Sequence, residues 1–286
     1  MIERDGYPAG VPCWVDLEHD DAEAAAAFYR GLLGWDLADQ MPADLPGHYF
    51  AATVRGKDVA GIGSRPDGSA TDPAWKTYVW VDSADDAAAR AQELGGSVVM
   101  APMDVMDAGR MSVIADPEGA LFGVWQARRH RGAQLVNEPG TWNFSGLHTR
   151  DPAAALAFYG GLFGWEGGEP DPESPGAPVL LRRPGYGDHL EEINPGTRKG
   201  MADMGAPEGF EDAVAWLVPL GDGEEPHWDV TFSVDDADAV AARAQELGGT
   251  VLVPPTDMPW VRTTVLRDPG GAVLTASKFV PPGAGG

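Results

Sequence analysis

Cysteine is nearly absent: Cys13 stands alone in 286 residues. An intrachain disulfide is therefore impossible, and a cysteine-based zinc site is excluded. Long apolar runs are missing too. No stretch of about eighteen apolar residues occurs, so no helical membrane span is expected. The opening MIERDGYPAG has no basic segment followed by an apolar one, so a secretory signal is not expected and the expected location is cytoplasmic. Positive charge is scarce. Twenty Lys and Arg face forty-four Asp and Glu, for a net charge of −24. Such a surface repels phosphate backbones and anionic lipid, so neither nucleic acid nor membrane is expected as a partner. Signatures of several enzyme classes are also lacking: G-x-S-x-G, H-E-x-x-H and the phosphate-binding P-loop. GIGSRPDG at 61–68 holds only part of a dinucleotide fingerprint and reads as a turn between strands.

What the chain does have is repetition. FYRGLLGW at 28–35 returns as FYGGLFGW at 158–165, an offset of 130. ARAQELGG at 89–96 returns at 242–249, an offset of 153, and DPEGA at 116–120 returns as DPGGA at 268–272, an offset of 152. Matches kept in order, with the offset rising by 23 after the first motif and then holding to within one residue, indicate gene duplication. The expected domains are 1–131 and 140–286, joined by a linker at 132–139. The second copy carries an insertion within 183–226, rich in Gly, Pro and charge, that reads as an excursion or a lid over one mouth of its domain. The basic run Arg128, Arg129, His130 and Arg131 reads as solvated linker.

Each copy shows the same local signals twice over. VPCWVDLEH reads as a strand, Asp20 as a helix cap with Glu23 three residues on, and AEAAAAFYRGLL as the helix stopped by Gly34. In copy two Asp151 is the cap and Pro152 takes the first helical position. TYVWVD, DDAAARAQEL and SVVMAP restart the pattern, and RMSVIADPEGALFGVWQ reads as a hairpin turning at 116–119. The expected class is α+β: four βαβββ modules, paired into two open, cup-shaped mixed-sheet domains with helices outside.

These elements together, the strand followed by D-x-x-x-A-x-x-FY-x-x-x-x-GW, the ELGG helix end and the DP-x-GA turn, resemble the vicinal-oxygen-chelate superfamily of glyoxalases, bleomycin-resistance proteins and extradiol dioxygenases. The resemblance is to its two-domain actinobacterial glyoxalase-like or antigen-like type, and it implies that ligands occupy the cups. It further implies metal ligands on the first and last strands of the modules. Carried onto this sequence, those positions fall on Trp14, near Lys76 and on Gly123 in copy one. In copy two they fall on Phe144, near Asp229 and on Thr275. Neither set offers the three or four converging N, O or S donors a divalent metal needs, so no metal or other cofactor is expected.

Strand alternation places further side chains in the cups. In copy one these are Trp14, Asp16, Lys76, Tyr78, Trp80 and Trp125, with Gly123 leaving space and Asp16 able to pair with Lys76. In copy two they are Phe144, His148, Asp229, Thr231 and Thr275, with His227 nearby. Aromatic walls with few charges suit a small hydrophobic or aromatic metabolite, such as a natural product. The first expectation is a metal-free binding protein for such a ligand, monomeric or homodimeric. The second is a metal-independent isomerase, cyclase or lyase with His148 and Asp229 as its catalytic acid/base pair. The third is a metal-dependent lyase or dioxygenase with non-standard ligands.

Overall fold

A computed structural model describes residues 3–65, 72–168, 176–221 and 223–281. The PDG of 66–68 lies outside the described residues. In the first half, β1 (Pro12–His19), α1 (Ala22–Leu33), β2 (Asp36–Asp39), β3 (Tyr49–Val54) and β4 (Lys57–Ser64) form one module. β5 (Ala74–Trp80), α2 (Ala84–Glu93), β6 (Ser97–Val105), β7 (Gly109–Ala115) and β8 (Leu121–Ala127) form the next. The second half opens with β9 (Trp142–Thr149), α3 (Pro152–Phe163), β10 (Glu166–Gly167) and β11 (Val179–Arg182). It then inserts α4 (Tyr186–Ile193), α5 (Thr197–Asp203) and a 3-10 turn at Phe210–Asp212 before β12 (Ala213–Pro219). Its last module is β13 (His227–Ser233), α6 (Ala237–Glu246), β14 (Thr250–Met258), β15 (Val261–Arg267) and β16 (Val273–Phe279).

Two eight-stranded sheets result, in the orders β2-β3-β4-β1-β5-β8-β7-β6 and β10-β11-β12-β9-β13-β16-β15-β14. Within each module the first strand pairs parallel to the last, and the modules join through the antiparallel pairs β1/β5 and β9/β13. The four βαβββ modules are thus present as read from the repeats. No helix among the described residues is long and apolar enough to cross a membrane.

Three local readings change. The cap of α1 is Asp21, whose side chain accepts from the Ala24 N–H, whereas Asp20 pairs with Arg65. The capping box with Glu23 is therefore not formed, and Glu23 simply sits in the first turn. Residues 61–64 are not a turn but the end of β4, because Gly61 and Gly63 lie beneath the ring of Tyr49 on β3. Within 183–226, residues 213–219 are β12, the counterpart of β4, so the inserted segment ends at Asp212.

Alternation sorts each strand into two faces. Cys13, Val15 and Leu17 of β1 and Trp75, Thr77 and Val79 of β5 are buried on the face covered by helices. Trp14, Asp16, Glu18, Lys76, Tyr78 and Trp80 lie on the opposite face, the cup.

The repeat motifs prove to be docking elements between the halves. Tyr29 of the first FY pair accepts from Trp75 Nε1 at 3.0 Å and donates to Asp268 Oδ2 of the second half at 3.2 Å. Tyr159 accepts from Trp228 Nε1 and donates to Asp116 of the first half, both at 3.0 Å. Each aspartate's other oxygen accepts N–H groups of its own DP-x-G turn, from Glu118 and Ala120 or from Gly270 and Ala272. Trp35 donates to Gly140 O and Trp165 to Gly10 O, both at 2.6 Å. Phe158 packs on Gly96 and Phe28 on Gly249, where a Cβ would stand about 3 Å from each ring. Arg90 and Arg243 reach Gly161 O and Gly31 O across the seam.

The two seams differ where each turn meets the end of the facing first strand. Thr149, at the end of β9, donates to the carboxylate of Glu118. At the equivalent place His19 lies over Gly270, in space that any Cβ would occupy. The Asp21 N–H donates to His19 Nδ1 at 2.9 Å, so the proton of a neutral ring sits on Nε2, facing Asp268 at 3.9 Å.

Gly270→Glu is expected to destabilise the protein by roughly 1–3 kcal/mol, the range for overpacking. Adding His19→Thr restores most of that loss by recreating the Thr149–Glu118 pair. Urea unfolding of the single and double variants measures the coupling, and strictly additive effects would show the two positions to be independent.

Candidate functional site

The two cups share a fold and differ in filling. In the first, strand register places Trp14 opposite Tyr78 and Tyr78 opposite Gly123. The three positions that line up across the sheet are therefore Trp14, Tyr78 and Gly123, with Lys76 one side-chain step away. The space expected at Gly123 is taken by the Tyr78 ring, which lies where a Cβ would be. Trp125 lies over Gly109 in the same way. Trp14, Tyr78 and Trp125 are 4%, 3% and 6% exposed. Trp80 belongs to the cup's far rim, where Tyr7 and the guanidinium of Arg131 cover it.

Asp16 sits among these rings at 8% exposure. Lys76 does not pair with it; its Nζ bonds Glu18 Oε1 at 2.7 Å. The oxygen Oδ2 of Asp16 faces the Tyr49 hydroxyl at 3.5 Å, while Oδ1 is buried with no partner. Trp14 Nε1 donates to the Tyr49 oxygen at 3.1 Å, which leaves the hydroxyl proton free to point at Asp16. Burial pushes the Asp16 carboxyl up to about 7, with Glu18 adding to the shift and Lys76, Tyr78 and Tyr49 opposing it.

The linker supplies a residue that the basic run concealed. Arg128 and Arg129 are exposed and paired with Asp104 and Asp107, as a solvated linker would be. His130 instead turns into the first cup, edge-on to Trp14 with ring centres 4.3 Å apart and near Trp125 at 5.6 Å. Its Nε2 is buried without a partner. Burial lowers its pKa to about 4, so the ring is neutral at physiological pH. Tyr49 also escaped sequence reading, and its signal was the paired glycines of β4 that accommodate its ring.

In the second cup the aligned positions are Phe144, Thr231 and Thr275, with Asp229 one step along, opposite Gly146. Asp229 Oδ1 accepts the Gly146 N–H at 2.6 Å, and its carboxylate occupies the space a Cβ on Gly146 would need. His148 Nε2 stands 3.4 Å from Asp229 Oδ2. The His227 ring stacks on His148 at 4.3 Å and anchors through Nδ1 to Glu225 O. Phe144, Thr231 and Thr275 are half-buried rather than enclosed. The wall beside Phe144 comes from Phe210 of the insertion and Trp216 of β12, with ring centres 6.1 and 6.2 Å away. The insertion also reaches the β14–β15 turn, where Gly205 meets Trp260. Arg110 and Arg262 are held by Asp85 and Asp104 and by Asp238 and Asp257, fastening hairpins to helices outside the cups.

The aligned side chains present an indole and a phenol in one cup, and a phenyl ring and two hydroxyls in the other. These do not fit a divalent metal. Among the described residues no three His, Cys, Asp or Glu side chains converge as a metal site would require.

Paired βαβββ modules with inward-facing cups define a family, and sequence models agree. Residues 14–124 match the glyoxalase/bleomycin resistance protein/dioxygenase superfamily, and residues 145–276 match a glyoxalase-like domain. The chain belongs to this superfamily, in a two-domain form. It is 39% identical over 284 residues to "Putative glyoxylase CFP32" of Mycobacterium tuberculosis, covering 98% of this chain and 99% of that one. It is 35% identical over 296 residues to the anthracycline biosynthesis protein DnrV of Streptomyces peucetius, covering 98% of each. The Mn(II)-bound glyoxalase from Novosphingobium aromaticivorans shares the fold with a TM-score of 0.59 at 17% identity, over 94% of this chain and 82% of that one.

The buried Asp16 carries a pH signature. An unfolded aspartate ionises near about 3.9. The folded carboxyl therefore holds a proton that the unfolded one has lost between about pH 4 and 7, and stability contributed by the neutral form is lost as pH rises through that window. Asp16→Asn is expected to raise stability at pH 8 by roughly 2–4 kcal/mol and to leave it nearly unchanged at pH 4. Chemical denaturation at the two pH values tests this; equal effects at both would show that Asp16 is not held protonated.

Proposed function

We propose that the protein binds a small planar, largely apolar metabolite in its cups without a metal, and that the second cup is the principal site. The observation that carries this reading is the half-buried aromatic wall of Phe144, Phe210 and Trp216 around the polar pair His148–Asp229. Rings left partly in water gain most from stacking on a flat ligand, and a few polar groups then fix its orientation. The name of DnrV points the same way, since anthracyclines are built on a planar fused-ring skeleton. Domain bounds of 1–131 and 140–286 suit this reading, because each half then carries its own cup.

The His148–Asp229 distance favours a second reading, a metal-independent isomerase, cyclase or lyase. A carboxylate 3.4 Å from Nε2 can hold the ring's proton and stabilise the charged imidazole during transfer.

Quinizarin, a planar dihydroxyanthraquinone, serves as probe. It is expected to quench tryptophan fluorescence and raise the melting temperature. Phe144→Ala and Trp216→Ala are each expected to weaken binding by about tenfold. No response to quinizarin or to other fused-ring quinones would overturn the binding reading. His148→Ala and Asp229→Ala separate binding from chemistry: a binder loses only a few-fold in affinity in each and forms no product, whereas an enzyme forms product in chelator-treated protein and loses it in both variants.

A further inference from the structure

We propose that the first cup is a second, chemically distinct site, for a planar ring bearing an acidic hydroxyl (a phenol or an enol) whose O–H donates to Asp16 Oδ1. This rests on the reading that the cups take planar ligands, and it adds the functional group that the first cup selects.

The first cup contains unmade hydrogen bonds. Few buried polar groups in folded proteins lack a partner, and each such group costs free energy. The first cup holds two of them, Asp16 Oδ1 and His130 Nε2. Both belong to residues packed around Trp14: Asp16 two positions along β1, His130 edge-on to the indole. The rest of the Asp16 environment is already committed. Lys76, the nearest cation, is drawn off by Glu18. The Tyr49 oxygen is occupied by Trp14 Nε1, so its proton serves Oδ2. The Tyr78 phenol also lies against this carboxylate, yet Oδ1 makes no hydrogen bond of good geometry, so one acceptor is left over in the aromatic cup, and a hydroxyl on a flat ring is a group that would satisfy it.

Ordinary core packing does not explain this arrangement. A buried carboxylate with one free oxygen is less stable than Asn or Leu at the same place. The acid of the second cup differs: Asp229 spends Oδ1 on the Gly146 N–H and sets Oδ2 beside His148. The groups that face Asp16 are Glu18 on its own strand, Lys76 and Tyr78 from β5 and Tyr49 from β3. Among them only Lys76 is cationic, and it is shared, so the carboxylate depends on a donated hydrogen bond to remain charged in the cup. The raised pKa agrees with this: the free site half-ionises near neutrality, and a hydroxyl donor shifts the balance toward carboxylate.

The test uses 2-naphthol against 2-methoxynaphthalene, the same ring without the donor, followed through the indole N–H resonances of Trp14 and Trp125. Naphthol is expected to bind about tenfold more tightly at pH 8, the scale of one charge-assisted hydrogen bond. The preference is expected to shrink as pH falls to 6, where the carboxyl becomes protonated, and to drop to within about threefold in Asp16→Asn. A second measurement requires no variant: saturating naphthol lowers the titration midpoint of the Asp16 side-chain carboxyl 13C signal, and methoxynaphthalene leaves it in place.

Equal binding of both probes to this cup would overturn the hydroxyl preference and leave the general reading of the cups intact. Absence of any shift at Trp14 and Trp125, while quinizarin still responds to Phe144→Ala, would show that water alone meets Asp16 and that the second cup is the site. Failure of both probes and of quinizarin would remove both readings.

Discussion

Everything in this molecule hangs from a short buried chain of hydrogen bonds, made twice: an indole N–H to a tyrosine oxygen, and that tyrosine's proton to an aspartate in the other half. The aspartate also closes its own turn, so a single carboxylate shapes a loop and receives a foreign helix. Burial raises the pKa of the Asp116 carboxyl and lifts both tyrosines far above their usual value. Each seam therefore depends on neutral phenols aimed at carboxyls inside a low-dielectric core, where removal of one partner strands the other. Because helix faces are spent on docking, the opposite faces of both sheets take no part in joining the halves.

The two cups are walled differently. In the first, tyrosine and tryptophan rings lie on glycines of neighbouring strands, and the linker adds His130. In the second the rings are half-buried and the insertion supplies part of the wall. That insertion is rooted in the other half as well, since Tyr186 of α4 is buried against the guanidinium of Arg4 near the N-terminus. The cups thus differ through what was added around them as much as through their own strands.

Much of this was legible in the sequence. Repeats kept in order revealed two copies, local signals within each revealed four modules, and strand alternation put Trp14, Asp16, Tyr78, Phe144 and His148 on the cup face. Register was harder. Counting along the chain landed on Lys76 and Asp229, whereas pairing across the sheets aligns Tyr78 and Thr231, one side-chain step away. Sequence spacing cannot see where a strand slides against its neighbour. His130 was hidden by its company, because a histidine among three arginines looks solvated until the chain is seen to fold it under Trp14. The FY, GW and DP-x-G motifs were plain as repeats, but their purpose was not. A motif that docks one half on the other leaves the same trace as one that binds a ligand.

The mismatch between the seams has a consequence for partner choice. Suppose a first half met a second copy of itself in place of its own second half. His19 would then meet a turn carrying Glu118 where Gly270 now leaves room. The Thr149 end of a second half, placed on a DPGG turn, would find no carboxylate to bond. Two similar surfaces therefore carry different labels: each half bears the side chain that matches the other's turn. A chain with four similar modules needs such a rule, since repeated segments on neighbouring molecules would otherwise exchange places and join copies together.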